Sequence, residues 1–206
     1  MKIEIIKPFG PSIVKFKLPN EIVSEMNKYT DEIIGDKKKS EDLNEGPKLA
    51  GNVQQEFLLD QDFMQKIKWP EFLGKITAHW IKDRNGKTLR NFKIIKSWIV
   101  RQFKNEYNPL HYHSGHISGV GYLKVPNTFG NNPQKNKKYN NNGKIELIHG
   151  SKQFLSPSSM SILPEVGYFY FFPHYLMHAV YPFSQCDDER RSVSFNATVD
   201  QSLFNE

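Results

Sequence analysis

The chain has 206 residues, 38% apolar and 24% charged, and its 15 Phe and 9 Tyr supply large side chains for a core. No apolar run approaches the roughly 18 residues of a membrane span. Residues 1–7 carry an early acid and no apolar stretch, unlike a signal peptide. The single Cys186 excludes an internal disulfide and suits a reducing compartment, so the expectation is a cytoplasmic protein with one domain over residues 1–206. The net charge of +6 would suit an anionic partner such as a nucleic acid. The lysines are accompanied by many Asn and Ile, however, a mixture that AT-rich coding produces without selection for any partner.

The alternation of residues 1–6 predicts a short strand, and residues 12–18, after Gly10-Pro11, predict another. Ile22, Val23, Met26, Tyr29 and Ile33 then recur at helical spacing from a start at Pro19 to a stop at Gly35. Lys37-Lys38-Lys39 reads as a solvated loop, continued by polar residues 40–52. Residues 53–59 read as extended. Phe63, Ile67, Phe72, Ile76 and Trp80 mark a helical face that Pro70 should break in two, because proline lacks the donor and clashes with the preceding turn. His79 lies on this second helix and has no expected ligand role. After the Asn85-Gly86 turn the texture changes. Residues 92–103 and the short runs at 117–125, 144–148, 160–163, 167–172, 179–183 and 191–199 all read as strands. Helices first and strands afterwards imply a helix-rich support over about 1–90, packed on one face of a β core over about 91–200. Residues 131–143, rich in Asn and Lys, read as a disordered surface insert in preference to a substrate-gripping loop.

The chemistry concentrates in two stretches. Asn108-Pro-Leu-His111-Tyr-His113-Ser-Gly-His116 places three of seven histidines within six residues. In extended chain, residues i and i+2 share a face, so the His111 and His113 imidazoles would converge and could begin a metal site. His174 and His178 follow an aromatic strand, and a tight connection there leaves only one of them free to join. Beyond them, Arg190, Ser192, Ser194 and Asn196 share one strand face. An arginine with two hydroxyls is not a core face; it is either solvated or lines a polar pocket able to grip a carboxylate. The nearby histidines favour the pocket.

His-x-His followed by Ser118-Gly-Val-Gly-Tyr122-Leu, then Pro164-x-x-Gly167, Phe172-Pro-x-x-Leu-x-His178-x-Val, then Arg190-x-Ser192-x-Ser-Phe-Asn196, resembles the 2-oxoglutarate/Fe(II)-dependent oxygenases. The closest likeness is to their prolyl-hydroxylase-like subgroup found in phages and bacteria. The resemblance runs from about residue 98 to 196. It implies a mainly β fold with flanking helices (α+β): a double-stranded β-helix, or jelly roll, buttressed by N-terminal helices. It implies Fe(II), 2-oxoglutarate and oxygen as cofactor and co-substrates, and hydroxylation of a substrate with release of succinate and carbon dioxide. Carried over by position, the metal ligands fall on His111, His113 and His178. Arg190, with Ser192 two residues on, falls at the co-substrate carboxylate. Tyr122 matches a tyrosine that hydrogen-bonds that carboxylate, and Ser118 shares its face. The departure is His113, where most of the superfamily has Asp or Glu completing a two-histidine, one-carboxylate triad. Phe169, Phe171 and Phe172 are candidates for an apolar wall of the site, and ordinary core packing explains them as well. By analogy the substrate is a peptide or protein residue, or another small molecule, in preference to a nucleic acid. Two rival readings share the fold: a cupin-type metal protein, disfavoured because Ile117 stands where a cupin supplies Glu, and a non-catalytic jelly-roll binding module.

Overall fold

A computed structural model describes residues 10–132, 134 and 136–203; the strand expected over residues 1–6 lies outside them. The helical support begins after β1 (Val14–Lys17) with α1 (Asn20–Gly35), which starts at Pro19 and buries Met26, Tyr29, Thr30 and Ile33 along one face. Contrary to the expected loop, Lys37-Lys38-Lys39 opens a second helix, α2 (Lys37–Leu43). The cause is Asp36, whose side chain accepts from the Lys39 N–H (3.1 Å) and satisfies a donor of the first turn that the three lysines cannot. β2 (Gln55–Leu58) precedes α3 (Gln61–Lys66), capped by Asp60 on the Phe63 N–H (2.7 Å), and α4 (Trp69–Asn85). The break between those helices falls at Lys68, held at φ +54°, with Pro70 in the first turn of α4 where its missing donor has no partner to lose.

Eight strands follow: β3 (Phe92–Gln102), β4 (Asn108–His111), β5 (Ile117–Lys124), β6 (Ile145–Ile148), β7 (Ser159–Ile162), β8 (Tyr168–Pro173), β9 (Met177–Val180) and β10 (Arg190–Val199). They form two antiparallel sheets, a six-stranded one in the order β1-β8-β5-β10-β3-β2 and a four-stranded one in the order β4-β9-β6-β7. The chain passes repeatedly between the sheets, as a jelly roll requires.

Two hydrophobic layers result. Phe169, Phe171, Val193, Phe195 and Ala197 face the helices and pack with Met26, Ile33, Trp69 and Leu73. Val120, Tyr122, Tyr170 and Phe172 face the small sheet and pack with Ile145, Leu147 and Val180. Alternation along β8 therefore divides the expected aromatic wall: Phe172 faces between the sheets, whereas Phe169 and Phe171 belong to the helix-side core. Gly121 serves that core, since a Cβ there would come within 2.0 Å of the Phe169 ring. β10 alternates likewise. Arg191 turns to the helices, meeting Asp31 (2.7 Å) and Asn27 (3.0 Å) of α1 and Glu189 (2.5 Å), while Arg190 turns inward. Trp69 donates to Ser97 (3.1 Å), which donates to the Ser194 carbonyl (2.8 Å), tying α4 to β3 and β10.

The described ends of the Asn-rich stretch are tied to each other. Asn140 donates to the Gly130 carbonyl (2.7 Å) and Asn142 to the Phe129 carbonyl (3.1 Å), with Phe129 against Phe183 (5.5 Å). Here asparagine side chains supply the backbone partners that regular structure would otherwise provide.

Candidate active site

Between the sheets, on the side away from the helices, lies a cavity of about 310 Å³. The pairing of β4 with β9 sets His111 directly opposite His178, so their rings meet at 4.3 Å. β4 ends at His111. The following residues leave the sheet but stay extended enough that Tyr112 points outward and His113 turns back in. The His113 N–H donates to the His174 carbonyl (3.1 Å), which brings its ring to 5.0 Å from His111 and 4.9 Å from His178. One ring nitrogen from each of the three lies within 4.8 Å of the others. The i, i+2 expectation thus brings the pair together although only the first histidine is in a strand.

The nitrogens available to a ligand follow from local bonds. His111 Nδ1 is 2.7 Å from the Pro109 carbonyl and His178 Nδ1 is 2.9 Å from the Leu176 carbonyl. A carbonyl only accepts, so Nδ1 carries the proton and Nε2 presents a lone pair inward, the arrangement in which backbone carbonyls orient metal-ligating imidazoles. Burial disfavours the charged ring in all three. Desolvation, assisted by the neighbouring rings, takes His113 down to about 3; desolvation and His111 take His178 down to about 4; His111 is also lowered by burial. All three are neutral bases near pH 7, as metal ligation requires.

His174 and His116 pair elsewhere, their rings 6.3 Å apart, and His116 Nδ1 accepts from the Val199 N–H (3.0 Å). His174 sits on the β8–β9 turn and contributes its carbonyl, which holds His113. His79 is exposed on α4.

The second half of the site is a buried cation. Arg190 is 2% exposed, and its Nη1 donates to Gln102. Its guanidinium carbon stands 5.1 Å from the centre of the Tyr122 ring. The Arg190 Nε and the Tyr122 hydroxyl are both buried with no hydrogen-bond partner among the described residues. Such orphaned donors are costly unless something accepts from them, and a carboxylate is the acceptor whose shape and charge match the guanidinium fork. Ser192, Ser194 and Asn196 continue that face along the cavity, so the polar face of β10 lines a pocket and is not solvated. Ser118 is set further back. Its hydroxyl donates to Asn196 Oδ1 (2.8 Å), so it acts on the cavity through that amide.

Gln102, bonded to Arg190, and Glu56, on the cavity wall, were not expected from the sequence. Gln102 follows Trp98 and Val100 at spacings of two, so strand parity could have placed it beside Arg190. Glu56 lies in a four-residue strand too short to show its inner face.

A family model for 2OG-Fe(II) oxygenases matches residues 96–196, the span that carries the three histidines, Tyr122, Arg190 and Ser192. That stretch belongs to this family. The oxygenase is similar in structure to a prolyl-4-hydroxylase of Pseudomonas putida (13% identity, 91% of each chain, TM-score 0.57). It is also similar to the viral collagen prolyl hydroxylase of Paramecium Bursaria Chlorella virus-1 in its 2OG complex (15% identity, 90% of this chain and 94% of that one, TM-score 0.54). A third likeness is a prolyl hydroxylase of Trichoplax adhaerens solved with a hypoxia inducible factor peptide (13% identity, 94% and 85%, TM-score 0.56). At these identities the likeness is one of fold, a double-stranded β-helix. No curated protein sequence matches significantly. The protein is thus an Fe(II)- and 2-oxoglutarate-dependent oxygenase. No helix among the described residues is long and apolar enough to cross a membrane.

Proposed function

We propose that His111, His113 and His178 hold the Fe(II), that Arg190, Tyr122 and Ser192 hold 2-oxoglutarate, and that the substrate is a residue of a peptide or protein. The observation that carries the site assignment is the convergence of three imidazoles within 4.8 Å in a cavity that also holds a buried arginine without a carboxylate partner among the described residues. When bound, Fe(II) supplies activation of oxygen, one atom of which enters succinate as 2-oxoglutarate loses carbon dioxide, while the other becomes the hydroxyl of the product.

The chain's own part is positioning. The carbonyls of Pro109 and Leu176 hold Nδ1–H of His111 and His178 and so keep Nε2 turned inward. Arg190 pairs with the distal carboxylate of the co-substrate, and Gln102 fixes the guanidinium so that its remaining N–H groups face that carboxylate. Tyr122, fully buried, donates its hydroxyl to the same group. Phe172 and Val120 exclude water from the inner wall, which strengthens each of these contacts. With three neutral imidazoles the protein leaves the full charge of the metal in place, one unit more than a two-histidine, one-carboxylate set does. The chain forms a single domain over residues 1–206, a reading supported by the cores that the large sheet shares with the helices on one face and with the small sheet on the other.

A peptide substrate is supported by the solved prolyl hydroxylases that share the fold, one of them holding a peptide. The test of the site is anaerobic addition of Fe(II) and 2-oxoglutarate, read by the visible metal-to-ligand charge-transfer band. The wild type develops the band, His178→Ala fails to retain metal, and Arg190→Ala retains metal but requires far more 2-oxoglutarate. No band at full metal occupancy would contradict the assignment.

A further inference from the structure

One group on the cavity wall has no part in holding the metal or the dianion. Glu56 on β2 is 1% exposed, yet its Oε2 has no hydrogen-bond partner among the described residues. The lateral row Tyr122–Ser192–Val100–Glu56 runs across β5, β10, β3 and β2 on one face of the large sheet, so Glu56 shares the inner face with the co-substrate groups. It stands at the edge of that face, where Gly51 and Asn108 form the rim. A Cβ on Gly51 would lie 3.3 Å from Glu56 Oε1 and 2.6 Å from Asn108 Oδ1, which shows how closely the 44–54 segment closes over this carboxyl.

Its electrostatic surroundings are unusual. The two lysines lining the cavity are already committed to another acid: Lys96 pairs with Glu45 (2.8 Å) and Lys48 with the same carboxylate (2.7 Å). The other charged neighbour, Glu106, is a second carboxylate, tied to the backbone N–H groups of Gln54 (3.2 Å) and Phe103 (2.8 Å). Burial, with Glu106 adding to it and Lys96 opposing, raises the Glu56 carboxyl to about 7. A buried carboxylate is expensive unless paired, and no cation of the described chain pairs with it.

A cavity with an arginine facing inward and an unpaired acid at its rim is polar along its length. 2-Oxoglutarate is repelled from the acid and drawn to Arg190, which leaves the space beside Glu56 to the other substrate. Resting on the oxygenase reading above, we infer that Glu56 is the substrate-recognition group, and that the substrate presents to it a cationic nitrogen, an ammonium or guanidinium. In a peptide this means a lysyl or arginyl side chain at or beside the residue hydroxylated. The pairing also accounts for the orphaned Oε2, because only an ammonium or guanidinium supplies both the charge and the donors that the site lacks.

The test uses the Fe(II)/2-oxoglutarate complex without oxygen and four blocked tripeptides, acetyl-Gly-Xaa-Gly-amide, with Xaa as Lys, Arg, norleucine or Glu. The charge-transfer band is recorded first, so failure of the metal and co-substrate assignment shows separately as its absence. Affinities are then measured by calorimetry. The expected result is that the Lys or Arg peptide binds at least tenfold more tightly than the norleucine peptide, that the Glu peptide binds least, and that Glu56→Gln removes the preference. With the band present, equal binding of Lys and norleucine peptides by the wild type would overturn the inference, whatever the variant does. So would a preference that survives in Glu56→Gln.

Discussion

At the scale of single residues, the site is built by unshared polar groups. Three neutral imidazoles, two half-buried and one buried, converge at one cavity, and beside them an arginine Nε and a tyrosine hydroxyl are buried without partners among the described residues, a liability in a protein that bound nothing. The metal-free oxygenase should reveal that liability on acidification. His113 and His178 are held near 3 and 4 in the fold, against about 6.5 when unfolded. Their folded values are depressed, so the unfolded chain takes up protons first; the stability they allow is present above pH 6.5 and is lost as pH falls below it. Each contributes up to about 1.4 kcal/mol per pH unit in that window. The urea midpoint of metal-free protein is expected to fall clearly between pH 7.5 and pH 5, and a flat profile would show that the rings are solvated. The convergence of His111 with His113 and the inward face of Arg190 were legible through strand parity, whereas the proposed roles of His178 and Tyr122 were legible only through the order of the family's motifs. The backbone carbonyls that orient His111 and His178 were not, since any residue supplies a carbonyl. Glu56 was hidden by the shortness of its strand.

At the scale of elements, period-two alternation decides the function of every inner strand. β10 sends Arg190, Ser192, Ser194 and Asn196 to the cavity and Arg191, Val193, Phe195 and Ala197 to the helices, a division readable from the sequence before the direction of either face was known. β8 shows the limit of that reading. In a continuous run of aromatics both faces look alike, so Phe169 and Phe171 could not be separated from Phe172 without the sheet. Gly121 connects the two faces. It lies between Val120 and Tyr122, which look into the site, and its missing side chain makes room for Phe169 in the opposite core. Gly121→Ala is expected to cost roughly 1–3 kcal/mol by overpacking, read as a lower denaturation midpoint. An unchanged midpoint would mean that the Phe169 ring moves aside freely. The unpredicted α2 depended on one cap, Asp36, which charge counting along Lys37-Lys38-Lys39 does not weigh.

At the scale of the whole molecule, the order of helices before strands translates into three layers: helices, large sheet, small sheet. The helices close one face of the large sheet and so leave its other face to form the pocket. The site draws on both ends of the β region, with His111 and His113 at β4, His178 on β9 and Arg190 on β10, and only the folded roll brings them together. The most direct measurement is a crystal structure of the oxygenase grown without oxygen in Fe(II) and 2-oxoglutarate, with data collected at the iron absorption edge. One anomalous peak is expected between the ring nitrogens of His111, His113 and His178, with the distal carboxylate of 2-oxoglutarate on Arg190 and Tyr122. Iron bound without His113, or a co-substrate carboxylate that does not reach Arg190, would contradict it.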